Sequence, residues 1–269
     1  MATKQKDLLG KRMKEFYEQT SKTKLVRRMP VAIRIDGKSF HTFTRYFKKP
    51  FDEILIKAMH ETTKYLCKSI QGCVFGYTQS DEITLILLDY QTLETSAWFD
   101  YEVQKLCSVS ASMATMQFNK IFNKLVDEYT RLNLKDLSLE NQNYIKILHK
   151  AVDRGAVFDA RCFNIPKEEV CNLVYWRQLD AIRNSTSMIG RAYFSQTELD
   201  NMSTTLIIKK LEDIGVDINS FETYKRQGSA CYKMEITDKD IIRNEWFIDL
   251  NMPLLAKEDR DYLEKYIFI

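Results

Sequence analysis

Two apolar runs, each ending in a short acidic turn, restrict the fold of this chain more than any other feature. Val31-Ala32-Ile33-Arg34-Ile35 alternates as a half-buried strand does and runs into Asp36-Gly37. Cys73-Val74-Phe75-Gly76-Tyr77-Thr78 leads into Gln79-Ser80-Asp81-Glu82, and Ile83 to Leu88 then reads as the returning arm of a β-hairpin. If the two strands are neighbours in one sheet, Asp36 and Asp81 sit side by side at its rim. Two carboxylates so placed can hold a pair of hard divalent cations roughly 3.5–4 Å apart. Such a pair clamps the attacking and leaving oxygens of an in-line phosphoryl displacement.

A chain of 269 residues can bury a real core, and 45% hydrophobic with 29% charged residues is the composition of a soluble globular protein. No run of about 18 apolar residues occurs, so no membrane span is expected, and Met1 to Lys14 lacks a secretory apolar region. The six cysteines contain no C-x-x-C pair, which argues against a zinc site or disulfide framework and for reduced thiols in a cytoplasmic compartment. The net charge of +3 is uneven: residues 1–49 hold 14 Lys and Arg against four acids, +10 locally and −7 for the remainder. Such an excess is either a solvated basic face or the footprint of a polyanion. Its position on both sides of Asp36 favours the polyanion, because a metal site among cations suits phosphate chemistry.

Along the chain, residues 5–19 have helical spacing, with Leu8, Leu9, Met13 and Phe16 on one face. Phe51 to Ile70 reads as a helix stopped by Gln71-Gly72. Residues 95–131 form a long helical stretch with a Trp98, Val103, Leu106, Val109, Met113, Met116, Phe118 and Phe122 core stripe. Residues 133–154 are expected as a loop with a short helix, a candidate mobile insertion. Val157 to Ile165 is a strand, Pro166 opens a helix through Trp176 to Tyr193, one or two helices fill 197–214, and Ser229 to Ile236 is a last strand. Residues 237–269 are expected as a partly apolar tail. The order β-α-β-β-α followed by more α and β implies an α+β fold: one elaborated domain with an antiparallel sheet covered by helices on one side, and a core of about 5–131 plus 157–236. Absence of G-x-G-x-x-G and Walker A sequences disfavours Rossmann and P-loop nucleotide sites.

Arg34-Ile35-Asp36-Gly37-Lys38-Ser39-Phe40-His41, Lys49-Pro50 and Gln79-Ser80-Asp81-Glu82 resemble the nucleotidyltransferase signature of the histidine-tRNA guanylyltransferase family, enzymes that polymerise in the 3′-to-5′ direction. Trp98 with Lys105, then Phe158-Asp159-Ala160-Arg161 and Trp176-Arg177-Gln178-Leu179-Asp180, continue the resemblance in order, over roughly residues 8–235. The resemblance implies a fold similar to the palm of polymerases and nucleotide cyclases, with additional C-terminal α/β elements. It also implies two Mg²⁺ ions on Asp36 and Asp81, helped by the Gly37 carbonyl, with Glu82 as a neighbouring acid of open role.

Nucleotide contacts are implied for Lys49 and Ser80, and further for Arg34, Lys38, Ser39, Phe40, His41 and Lys105, with main-chain N–H groups from Lys38 to His41 cradling phosphates. Arg27, Arg161, Arg177, Asn184, Lys225 and Arg226 are weaker candidates for RNA or phosphate. Arg161 and Arg177 have an equally ordinary alternative as partners of Asp159 and Asp180, and His60 and His149 are assigned to packing or surface. Members devoted to histidine tRNA carry His-Ile-Asn-Asn after the Trp-Arg-Gln element. Here Ala181-Ile182-Arg183-Asn184-Ser185 stands instead, which resembles the guanylyltransferase-like branch of bacteria and archaea. The function so implied is Mg²⁺-dependent addition of nucleotides to the 5′ end of tRNA from ATP, GTP and other NTPs, as template-dependent repair, by a homotetramer built as a dimer of dimers. The alternatives are a nucleotide cyclase or other palm-type nucleotidyltransferase, and a non-catalytic RNA-binding module.

Overall fold

The computed structural model describes residues 2–238 and 241–268. Its centre is a six-stranded antiparallel sheet whose strands are β1 (Val31–Gly37), β2 (Cys73–Gln79), β3 (Glu82–Leu87), β4 (Phe158–Asn164), β5 (Ser229–Asp238) and β6 (Ile241–Asp249), in the spatial order β4-β1-β3-β2-β5-β6. The helices are α1 (Ala2–Met13), α2 (Phe40–Phe43), α3 (Glu53–Ser69), α4 (Val103–Leu132), α5 (Leu139–Arg154), α6 (Lys167–Tyr193), α7 (Gln196–Leu199), α8 (Thr204–Glu212), α9 (Thr223–Gln227) and α10 (Asp261–Glu264). The mixed α+β class and antiparallel sheet agree with the sequence reading.

Strand β1 lies between β3 and β4, so both of its edges are bonded. Its alternate residues feed two separate cores. Val31, Ile33 and Ile35 join Ile83, Leu85 and Leu87 beneath α3 and α4, where Leu66, Phe118 and Phe122 pack on them. Ala32 joins Ile86, Leu88, Phe75 and Tyr77 on the other face, beneath Val170, Cys171 and Val174 of α6 and Met252, Leu255, Leu263 and Ile267 of the C-terminal segment. The sheet is therefore covered on both faces, which corrects the one-sided cover expected from sequence. This second cover explains why β3 is buried along its whole length: a strand enclosed on both sides reads as a continuous apolar run.

Three further expectations change. The C-terminal stretch is not merely a tail, because β6 pairs with β5 from Ala230↔Asp249 to Asp238↔Ile241. Its polar residues Arg243-Asn244-Glu245 stand together before Trp246-Phe247-Ile248, so no alternation marked the strand. Residues 133–154 are not a loop with a short helix. Helix α5 runs for 16 residues, is capped by Ser138, and buries Tyr144, Leu148 and Ala151 in the main core. The four leucines at 132, 134, 137 and 139 are exposed and span the end of α4, the connection and the first residue of α5. Finally, α4 begins at Val103. Trp98 lies in a short 3-10 turn followed by left-handed backbone at Phe99, Asp100 and Tyr101, and Met116 faces solvent because the buried stripe runs through Leu106, Ser110, Ala114, Phe118, Phe122 and Val126. The apolar face of α1 and the turn after it, with Leu8, Leu9 and Phe16, is exposed.

Candidate active site at the sheet rim

At one end of the sheet the register places Asp36 of β1 between Glu82 of β3 and Asp159 of β4. The three acids occupy one face, in a row across three strands, because directly opposed residues of antiparallel strands point the same way. Asp81 enters from the two-residue turn that closes Gln79↔Glu82, where Ser80 adopts a left-handed φ of 51°. The turn is tied to β1 by the Gly37 N–H, which donates to the Asp81 carbonyl at 3.1 Å. Ser80 Oγ donates to Asp81 Oδ1 at 3.0 Å.

Asp36 lies close enough to Asp81 for its charge to act on that carboxyl. Burial pushes the Asp81 carboxyl up to about 6; the Ser80 hydrogen bond opposes that rise, and the negative charge of Asp36 adds to it. Neither residue forms an ion pair among the described residues. Two adjacent, partly buried carboxylates without a counter-charge fit a divalent cation. Among the described residues no group of three or more His, Cys, Asp or Glu is arranged to hold a metal ion. Any cation there would complete its shell with carbonyl, water or phosphate oxygens, the ligands Mg²⁺ takes at phosphate-transfer sites.

Gly37 is required at its position. A Cβ there would lie 2.2–2.7 Å from the Phe40 ring, which is buried under the turn against Phe43, Phe118 and Phe158. This aromatic floor supports a cavity of about 550 Å³ lined by Gly37, Ser39, Phe40, His41, Lys49, Ser80 and Asp81. Seven residues singled out in the sequence thus meet in one place. Sequence reasoning missed Arg45, Lys48 and Arg191, which add cations to the same walls. The basic excess before residue 50 contained the signal for the first two. Arg191 comes from the end of α6, and no local pattern marks it. Lys48 stands over the Tyr144 ring at 4.5 Å, and Tyr144 Oη donates to Asp52 Oδ2 at 2.6 Å, so α5 braces the cavity wall. Asp52 also caps α3 through the N–H groups of Ile54 and Leu55.

The remaining sequence candidates lie elsewhere. The main-chain N–H of Lys38, expected to meet phosphate, donates instead to the Val157 carbonyl at 2.8 Å. Arg34 shares a face with Asp36, one row back, opposite Arg161 and Thr84. Glu82 meets Arg177 of α6 as a two-point fork, with Nε to Oε1 at 2.6 Å and Nη2 to Oε2 at 2.8 Å. Arg177 also reaches Asp180 at 2.7 Å, and Asn184 Nδ2 donates weakly to the same carboxylate. Burial pushes the Glu82 carboxyl up, and the nearby guanidinium only partly offsets that. Arg161 pairs with Asp159 at 3.3 Å on the exposed edge strand. Lys225 is held by Glu53 and Glu222, and Arg226 by the Phe221 carbonyl and Asn219. Arg27 pairs with Asp89 and Asp100 at the opposite end of the sheet, about 17 Å away along β1. Lys105 lies in the first turn of α4, beside Phe99 and about 15 Å along the helix from Thr115, whose hydroxyl holds the start of β4.

A family model described as "Thg1: tRNAHis guanylyltransferase" matches residues 10–166, more than half of the chain. The chain belongs to the tRNAHis guanylyltransferase family. It is accordingly a nucleotidyltransferase of that family. A tRNA(His) guanylyltransferase of Eremothecium gossypii is 26% identical over 79% of this chain and 86% of its own length. An uncharacterized mimivirus protein is 29% identical over 88% of this chain and 80% of its own length. Among solved structures, a bacterial Thg1-like protein in complex with ATP superposes with a TM-score of 0.77 at 35% identity, covering 97% of this chain and 99% of that one. The Saccharomyces cerevisiae tRNA(His) guanylyltransferase, at 21% identity and a TM-score of 0.59 over 86% of this chain and 95% of that one, shares the fold. The family match ends at residue 166, before α6, so Arg177 and Arg191 lie outside the matched segment. Among the described residues no helix is long and apolar enough to cross a membrane.

Proposed function

We propose that this family member is a Mg²⁺-dependent enzyme that extends the 5′ end of tRNA in the 3′-to-5′ direction. The observation that carries the reading is Asp81 in the wall of a cavity it shares with His41, Arg45, Lys48, Lys49 and Arg191, with Asp36 near enough for its charge to act on that carboxyl. A bacterial relative solved with ATP, and again with GTP, supports nucleotide as the occupant of such a cavity. Asp36 and Asp81, with the Gly37 carbonyl, would hold two Mg²⁺ ions. When bound, those ions would supply a lowered pKa for the attacking oxygen and neutralisation of the leaving phosphates.

The chain's own groups do the remaining work. Lys48, Lys49 and Arg45 orient and neutralise phosphate oxygens of the triphosphate, the Ser80 hydroxyl turns from Asp81 to donate to one of them, and His41 stands beside them. In the first step the RNA 5′-monophosphate oxygen attacks the α-phosphorus of ATP; a P–O bond forms and pyrophosphate leaves, giving an adenylylated end. In the second, the 3′-hydroxyl of an incoming NTP attacks the terminal RNA phosphorus; AMP leaves, and the hydroxyl proton passes to solvent. The Ala181–Ser185 stretch and the 35% identity to a bacterial Thg1-like protein support repair of truncated tRNA rather than addition of a single untemplated G. A cytoplasmic homotetramer completes the reading, and the exposed apolar face of Leu8, Leu9 and Phe16 supports self-association.

The test is incubation with ATP, NTPs and a 5′-monophosphorylated tRNA lacking its first nucleotide, with the products resolved on a sequencing gel. One-nucleotide extension that chelator, Asp36→Asn and Asp81→Asn each reduce at least a thousandfold is expected. Retained extension in either variant would overturn the site. Pyrophosphate release from ATP without RNA would instead favour a cyclase.

A further inference from the structure

Trp176 is the one tryptophan of the three left to solvent: it is 51% exposed, against 8% for Trp98 and 7% for Trp246. It sits on α6 with two guanidinium groups against its ring, Arg177 at 4.5 Å and Arg34 at 5.5 Å from the centroid. Arg177 is committed to Glu82 and Asp180. Arg34 is free: it has no ion pair among the described residues, and its buried Nε lacks a hydrogen-bond partner. Arg161 lies directly opposite Arg34 across the β1–β4 pair. Arg34 and Asp36 are two residues apart on one face of β1, about 7 Å. The strip of Trp176, Arg34 and Arg161 shares no residue with the cavity lining. The basic cavity therefore meets the acids at Asp81, and the open aromatic strip approaches them from Arg34, one row back from Asp36.

We infer that this strip receives the 5′ terminus of the RNA acceptor, with the terminal base stacked on the Trp176 indole and its phosphate at Arg34. The inference rests on the nucleotidyltransferase reading above, which requires two phosphate-bearing reactants to converge on the same acids. A free triphosphate needs several cations around it, and the strip offers one unpaired guanidinium. A chain end brings a single phosphate group and one unstacked base. Stacking on an exposed aromatic tolerates any base, as an acceptor of varied 5′ sequence demands. Trp176 is on this account a positioning residue.

The experiment uses tryptophan fluorescence of the full chain with 5′-monophosphorylated tRNA lacking its first nucleotide, without ATP, so no turnover occurs. RNA should quench the iodide-accessible emission, ATP alone should not, and Trp176→Phe should remove the responsive signal. In steady state, Trp176→Ala should raise KM for the RNA about 5- to 100-fold while KM for ATP stays within about twofold, and Trp176→Phe should recover most of the loss. Arg34→Gln should raise the same RNA KM, which keeps the test open if Trp176→Ala folds poorly. Quenching by ATP alone, or an RNA KM unmoved by Trp176→Ala, would overturn the inference. RNA quenching through Trp176 in a chain that adds no nucleotide would sink the enzymatic reading and leave the RNA site standing.

Discussion

Replacing Glu82 by Gln separates a strut from a reacting group at the rim of the sheet. The Glu82 and Arg177 side chains are 10% and 7% exposed, and the fork between them has contacts of 2.6 and 2.8 Å. Gln keeps the shape and one acceptor oxygen but turns an NH₂ group towards a guanidinium N–H. Removing one partner of a buried ion pair costs about 3–5 kcal/mol. Here one charge-assisted bond survives, and Asp180 still faces Arg177 at 2.7 Å, which lowers the figure to about 2–3 kcal/mol. For a chain of this size each kcal/mol moves Tm by roughly 2–4 °C, so a drop of about 5–10 °C is expected in calorimetric melts at pH 7.5. At 20 °C, well below the transition, kcat/KM for 5′ extension should fall less than about tenfold, because the carboxylate acts through Arg177. A double-mutant cycle with Arg177→Met should return a coupling of at least about 1.5 kcal/mol. A Tm within 1 °C of the parent, together with a loss of activity above about a thousandfold, would refute the reasoning and make Glu82 a group that touches the reactants.

His60 hydrogen-bonds Ser229 Oγ at 3.0 Å, and burial lowers its pKa to about 4 against a partial upward pull from Glu53. Protonation thus favours the unfolded chain. The stability held above about pH 6.5 is lost as pH falls towards 4, by about 2–3 kcal/mol from this group at pH 4.5, and urea midpoints at pH 7.5 and 4.5 should converge in a His60→Asn variant. Gly37→Ala would drive a methyl into the Phe40 ring; overpacking of this kind costs about 1–3 kcal/mol, and displacement of the neighbouring Asp36 should lower kcat at least about tenfold. A folded Gly37→Ala enzyme of normal kcat would show that the turn is not held rigidly.

The local part of this site was legible in the sequence. Alternation located β1, an apolar run broken by Gln79-Ser80-Asp81-Glu82 located the hairpin, and both patterns depend on neighbours in sequence. What stayed hidden depends on contacts between distant segments. Arg191 reaches the cavity because α6 ends there, and Glu82 meets Arg177 across 95 positions. Helix α5 was obscured by its Asn- and Lys-rich composition, although Tyr144, Leu148 and Ala151 carry the spacing of a buried face. β6 was obscured because its polar block Arg243-Asn244-Glu245 is followed by the apolar block Trp246-Phe247-Ile248, without the alternation that marks a strand, and it is held by pairing with β5. Lys105 and Arg27 show the converse: their chemistry suited phosphate, but helix length and strand direction carry them to the far end of the sheet.

The 95 positions between Glu82 and Arg177 also set an order of events at the ribosome. At roughly 5–20 residues per second, the acid emerges about 5–20 s before the cation that neutralises it. Through that interval the hairpin bears Asp81 and Glu82 without their later surroundings, and solvent is a better home for them than a closed interior. The fork that locks this rim of the sheet therefore forms only once α6 has arrived.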